Sequence, residues 1–156
     1  VGYPSRSGEQ RVLLNRVERQ QEVARVEPVV TADELRAMQR GIESVTVDDD
    51  IALYCVDLAG ATREHGSVQV GASPRGAQGL MLVGRALAVM AGRDYVTPED
   101  VKRIAVPVPA HRLTLTPQAW ANGTDAAAII LELAEEVAGP PAVGAVAAGY
   151  EPGDGA

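Results

Sequence analysis

The stretch GASPRGAQG, Gly71 to Gly79, holds the residues best placed to do chemistry. Ser73 followed by Pro74 is how a helix begins, because a serine side chain can accept from unpaired N–H groups and proline has no N–H to leave unpaired. Arg75 then falls in the first helical turn, where the macrodipole is positive and a cation gains least. Two readings account for it. Either the guanidinium extends into solvent, as surface arginines commonly do, or it stands beside the unpaired donors of the helix start so that both meet one anion. The second combination suits phosphate oxygens, since free backbone N–H groups and a planar, permanently charged fork converge on the same ligand.

Other chemistries find less support. The only lysine, Lys102, follows Val101 within a predicted helix, so the G-x-x-x-x-G-K-[ST] loop that cradles a triphosphate is absent from this sequence. His65 and His111 stand apart, and no close set of Cys, His and carboxylate ligands suggests zinc, so no metal ligand is assigned. Cys55 falls on an apolar helical stripe with no base beside it, and there is no G-x-S-x-G elbow. Asp48 to Asp50, after SVTV, could be the metal-coordinating carboxylates that follow a strand in an ATPase. The preferred reading is a helix cap and an acidic first turn, because VTV is short for a buried strand and Ile51, Tyr54, Cys55, Leu58 and Thr62 recur at helical spacing.

The totals bound the rest. The 156 residues suit one domain of ordinary size, with 46% hydrophobic and 22% charged residues and no Phe, so the core must be aliphatic and helix-friendly. Net charge is −7, and every Lys and Arg lies at or before Arg112. Such an acidic chain is a poor match to a nucleic-acid backbone, which demands a clustered basic face. One cysteine excludes an internal disulfide framework and fits a reducing compartment, the cytoplasm. No apolar run reaches the length of a membrane span, and the opening VGYPSRSGEQ has neither an initiator Met nor signal-peptide character, as if the chain were a piece of a longer one.

The elements that must position Arg75 follow from periodicity and caps. VGYPS reads as a strand end entering a turn. Ser5 or Ser7 can cap a polar helix running to about Arg25, with Val12, Leu13, Leu14 and Val17 along it. VEPVV reads as a short extended segment, and Thr31 with Glu34 forms a capping box for a helix carrying Leu35, Met38 and Ile42. After the Asp48–Asp50 cap and its helix, Leu80, Val83, Leu87 and Met90, flanked by Leu82, Ala86 and Val89, predict a central helix with a wide apolar face, ended by Gly92. TPED restarts a helix capped by Thr97, and PVP breaks it. HRLTLT alternates as a short strand, with VEPVV as its expected partner, and Thr124 is expected to cap a last helix from about Asp125 to Ala138 with Ile129, Ile130, Leu133 and Val137 inward. The class is mainly α: a bundle of five or six helices with at most a two-stranded ribbon. The Gly-, Pro- and Ala-rich segment 139–156 is expected to be a disordered tail.

From Gly71 to Ala119, GASPRGAQGLMLVGRALAVMAGRDYVTPEDVKRIAVPVPAHRLTLTPQA closely resembles the C-terminal lid of MoxR-type AAA+ ATPases. VGYPSRSGEQ resembles the junction between that family's nucleotide-binding core and its lid, and NGTDAAAIILELAEEV its final helix. The resemblance implies residues 1–6 as the end of a linker and 7–138 as the lid. It also implies that Arg75 is the sensor 2 arginine reaching the terminal phosphate of ATP, with Ser73 and Pro74 beside it and Gly2, Tyr3 and Pro4 lining the base side. ATP with Mg2+ would then be the cofactor of a longer parent protein, and this chain alone would neither hydrolyse ATP nor bind it tightly. Implied partners are its own ATPase core, neighbouring subunits of a hexameric ring and a von Willebrand A domain protein, in a chaperone-like role of remodelling or maturation. Gly76 stands where the family commonly has Ala, at a helical position where Gly costs up to about 1 kcal/mol. His111 and Arg112 match the family without a derivable chemical role, and packing or capping of the ribbon is expected of them. A free-standing helical interaction module and the lid of a magnesium-chelatase subunit are the alternatives.

Overall fold

The computed structural model describes residues 2–19 and 26–141, and the chain divides into two compact units, 1–36 and 37–156. In the first unit, Gly2 to Ser5 is irregular rather than a strand end, and helix α1 spans Arg6–Arg19. Ser5 starts it as expected: its hydroxyl accepts from the Gly8 N–H at 3.2 Å. The expected continuation to Arg25 lies outside the described residues. No residue of α1 is buried, so Val12, Leu13, Leu14 and Val17 are uncovered. Helix α2, Ala32–Glu43, opens with the expected capping box, in which the Thr31 N–H donates to Glu34 Oε2 at 2.7 Å and the Glu34 N–H to Thr31 Oγ1 at 3.2 Å.

The second unit holds the aliphatic core. Helix α3, Asp49–Glu64, begins as the acids foretell, with Asp48 as N-cap accepting from the Asp50 N–H at 2.9 Å. It buries Ile51, Tyr54, Cys55, Leu58 and Thr62, the stripe read from spacing. Strand β1, Val68–Val70, leads into helix α4, Pro74–Met90, followed by α5, Pro98–Ile104. A single 3-10 turn, Ala110–Arg112, precedes strand β2, Thr114–Leu115, and helices α6, Pro117–Ala121, and α7, Ala126–Glu136, complete the order. Helix α3 packs against α4, α5 and α7. Fully burying Leu58, Leu80 and Ile130 contributes roughly 1.5–3 kcal/mol each.

The mainly α class therefore holds, with seven α-helices among the described residues. The five-residue α6, with Thr116 as its cap, was not foreseen. It leaves Trp120 exposed.

Three expectations need correction. Strand β2 pairs antiparallel with β1, not with VEPVV, in the register Val68 with Leu115 and Val70 with Thr114. Val68 directly follows the α3 turn, where His65 Nδ1 accepts from the Ser67 N–H, whereas Pro28 deprives VEPVV of a ladder donor. The N-cap of α7 is Asp125 rather than Thr124, accepting from the Ala127 N–H at 3.0 Å. In α4 the buried stripe is Gly76, Leu80, Gly84 and Ala88, with Ala77, while Val83 and Met90 are exposed. Close approach selects the slim side of the helix: a Cβ on Gly84 would lie 3.3 Å from Val96 Cγ1.

The end of α4 is as read. Gly92 has φ of +72°, its N–H donates to the Val89 carbonyl, and the Arg93 N–H donates to the Ala88 carbonyl, a Schellman closure. Arg93 then forms a bidentate pair with Asp100, at 2.8 and 2.7 Å, and donates to the Tyr95 carbonyl. Asp100 also closes the Thr97 capping box of α5. Of the segment expected as a tail, Gly139 to Pro141 lie beside Tyr54 in a small cleft, and 142–156 lie outside the described residues. Among the described residues no helix is long and apolar enough to cross a membrane.

Candidate functional site

The turn that presents Arg75 is held from behind by the end of α3. Thr62 is fully buried; its hydroxyl donates to the Ala59 carbonyl at 2.7 Å and accepts the Ala72 N–H at 2.8 Å. The neighbouring side chain, Arg63, donates from Nε to the Ala72 carbonyl at 2.7 Å. Both polar backbone groups of Ala72, itself fully buried, are thus satisfied by two consecutive residues of another helix. Gly71 lies so close to α3 that a Cβ there would sit 2.7 Å from the backbone N and Cα of Arg63, which leaves room only for glycine.

From this anchor the chain passes through Ser73, in extended geometry at φ −75° and ψ 169°, to Pro74 at the first helical position. Ser73 is the N-cap as expected, but its side chain makes no cap hydrogen bond, contrary to the expectation from its residue type. The Ser73 carbonyl accepts from the Gly76 N–H at 2.7 Å instead, tightening the first turn. Among the described residues the Ser73 hydroxyl and the Arg75 N–H have no hydrogen-bond partner.

Arg75 is exposed and has no hydrogen bond or ion pair within the described residues. Arg112 and Arg103 are also exposed on this unit, so exposure alone does not single it out. Its setting does. The first turns of α2, α3 and α5 carry Asp33 and Glu34, Asp49 and Asp50, and Glu99 and Asp100, the usual complement to the dipole. The first turns of α4, α6 and α7 carry no acid, and of these three only that of α4 carries a guanidinium. Positive helix end, unpaired amide, unpaired hydroxyl and permanent cation therefore all favour an anion.

Beside the turn, a groove of about 350 Å³ runs between α3 and α4, lined by Ala52, Cys55, Val56, Arg63, Pro74, Ala77, Gln78 and Met81. Its apolar lining suits packing rather than catalysis. Burial pushes the Cys55 thiol up to about 11, which removes it as a nucleophile near neutral pH.

The remaining site residues separate by unit. Ser73, Pro74 and Arg75 share the α4 turn of the second unit, all exposed, while Gly2, Tyr3 and Pro4 are exposed in the first. His111 and Arg112 are exposed on the 3-10 turn before β2, so of the two roles expected of them, packing is not found, while they do stand directly ahead of the ribbon. Thr62, Arg63, Gly71 and Ala72 were missed as parts of the site. A threonine on an otherwise apolar stripe was the available signal, since a buried hydroxyl requires a partner.

Residues 60–133 match the family model described as the AAA lid domain. Uncharacterized protein YeaC of Bacillus subtilis is 38% identical over 140 residues, covering 90% of this chain and 43% of that protein. Chaperone MoxR1 of Mycobacterium tuberculosis is 31% identical over 149 residues, covering 90% of this chain and 39% of that protein. The crystal structure of a presumed ATPase of Cytophaga hutchinsonii superimposes with a TM-score of 0.77 at 29% identity, covering 90% of this chain and 45% of that one. The chain thus spans less than half the length of each of these relatives.

Proposed function

We propose that this chain, which belongs to the lid domains of the MoxR-type AAA+ ATPases, completes an ATP site built by a separate catalytic core and contributes Arg75 to it as the sensor 2 arginine. One observation carries the assignment: among the described residues, an exposed guanidinium without a partner stands on an acid-free helix start whose own amide is unpaired. ATP with Mg2+ supplies the phosphoryl group and the anionic oxygens. Arg75 binds the terminal phosphate and neutralises charge as it develops during transfer. The Ser73 hydroxyl and the Arg75 N–H add donors on the same turn, with Pro74 fixing its geometry. By the resemblance, Gly2, Tyr3 and Pro4 would line the base side, and Tyr3 is exposed.

In this reading 1–6 is the end of the linker and 7–138 the lid, with the family match inside it. The uncovered Val12, Leu13, Leu14 and Val17 of α1 suit packing against the ATPase core. The parent protein hydrolyses ATP in a ring, taken as hexameric, in the cytoplasm, as a chaperone-like remodelling or maturation factor acting with a von Willebrand A domain protein. A relative named as a MoxR chaperone supports this class over the magnesium-chelatase alternative.

The test is steady-state ATP turnover by the full-length protein. Arg75→Ala should lower kcat by about 100-fold, the scale of losing one transition-state donor, while this chain keeps its thermal stability. A wild-type rate in the mutant would overturn the assignment and favour a helical interaction module without a nucleotide role.

A further inference from the structure

We infer that Thr62 and Arg63 are positioning residues for Arg75, acting together as a clamp on the main chain of Ala72. This rests on the reading of Arg75 as a phosphate-binding residue. The Thr62 hydroxyl fixes the Ala72 N–H, Arg63 Nε fixes the Ala72 carbonyl, and the bare Cα of Gly71 is pressed against the Arg63 backbone. With three successive constraints behind it and the proline ring ahead, the path from Ala72 to Arg75 has little freedom left. The start of a helix ordinarily frays; here the entry is pinned to the last turn of α3, and α3 is itself locked into the core through Tyr54 and Leu58.

The consequence concerns reach. A long arginine side chain hits a phosphate reproducibly only if its Cα is fixed, and pre-organisation of this kind separates a transition-state donor from a loosely tethered cation. Thr62 and Arg63 touch no ligand in this scheme. They act through Ala72.

The experiment is a double-mutant cycle on kcat and KM for ATP in the full-length protein, using Thr62→Val, Arg75→Ala and the pair. Thr62→Val keeps the shape and removes the hydroxyl, and should lower kcat by about 10-fold through misplacement of the arginine. On the Arg75→Ala background the same change should alter kcat by less than about twofold, because the arginine it positions is gone. Thr62→Ser, which retains the hydroxyl, should restore most of the rate. Arg63→Met, which keeps the length of the side chain and removes the Nε donor, should repeat the non-additive pattern. If Arg75→Ala lowers kcat but Thr62→Val and Arg63→Met either do nothing or multiply with it, the clamp is merely structural and the inference fails alone. If Arg75→Ala leaves kcat unchanged, the sensor reading fails and this inference with it.

Discussion

Thr62 and Ala72 are joined by a 2.8 Å hydrogen bond in which the Ala72 amide donates to the Thr62 hydroxyl, and both residues are fully buried. A buried amide that loses its acceptor keeps the full desolvation penalty. Thr62→Val should therefore destabilise this chain by about 2 kcal/mol, within the 1–3 kcal/mol range for an orphaned buried donor. Thr62→Ser, which gives up only a methyl group, should lose about 1 kcal/mol. Urea denaturation of the two variants side by side checks the order, and a Val variant as stable as wild type would contradict the bond's importance.

Gly71 gives a second, steric test of the same corner. An alanine Cβ would sit 2.7 Å from backbone atoms of Arg63, which cannot swing aside as a side-chain tip can. Gly71→Ala should lower stability by about 3 kcal/mol, the upper end for overpacking. Gly41→Ala is the control: it lies in α2 with nothing within 4 Å of the added carbon, and should raise stability by about 0.5–1 kcal/mol through helix propensity. Thermal melts of the pair should move in opposite directions.

Asp100 makes stability fall at low pH. Burial alone would raise its carboxyl, but the Arg93 guanidinium and the Thr97 N–H outweigh it and hold the group below the usual carboxylate range. The unfolded chain then binds more protons than the folded one between the two pKa values, so stability rises with pH there. This contribution is complete above the unfolded value, about 3.9, and is lost as pH falls through the lower folded one. Urea titrations from neutral to acid pH should show this loss, and Asp100→Asn should flatten it.

Cys55 should be silent to thiol reagents. Its side chain is buried and its thiol is pushed up to about 11, so almost no thiolate exists near pH 8. A disulfide reagent should modify the native chain no faster than the chain unfolds, and modify it at once in denaturant. Rapid labelling under native conditions would place the thiol in solvent.

Signals that act over three or four residues were legible in the sequence. The Thr31–Glu34 box, the Thr97 and Asp48 caps and the Gly92 stop are satisfied by the local backbone, and each stands where residue types put it. What depends on distant packing was not legible. The size of Val83 and Met90 suggested a core face, yet the approach of neighbouring elements favours the slim Gly76, Gly84 and Ala88 side of the same helix. The ribbon partner and the Ala72 clamp escaped for the same reason, since both are made by loop closure rather than by neighbours in sequence. Ser73 shows the limit from the other side: its type suits capping, but the Ser73 carbonyl takes that role and the hydroxyl stays free.

The grip on the turn before α4 is exerted on main-chain atoms of Ala72, upstream of the residue displayed at position 75. Display and anchorage are therefore separable. Evolution, or an engineer, can exchange the head group at this corner for a lysine, a histidine or a neutral amide and leave the mounting intact, so that the ligand preference of the corner becomes a one-codon variable.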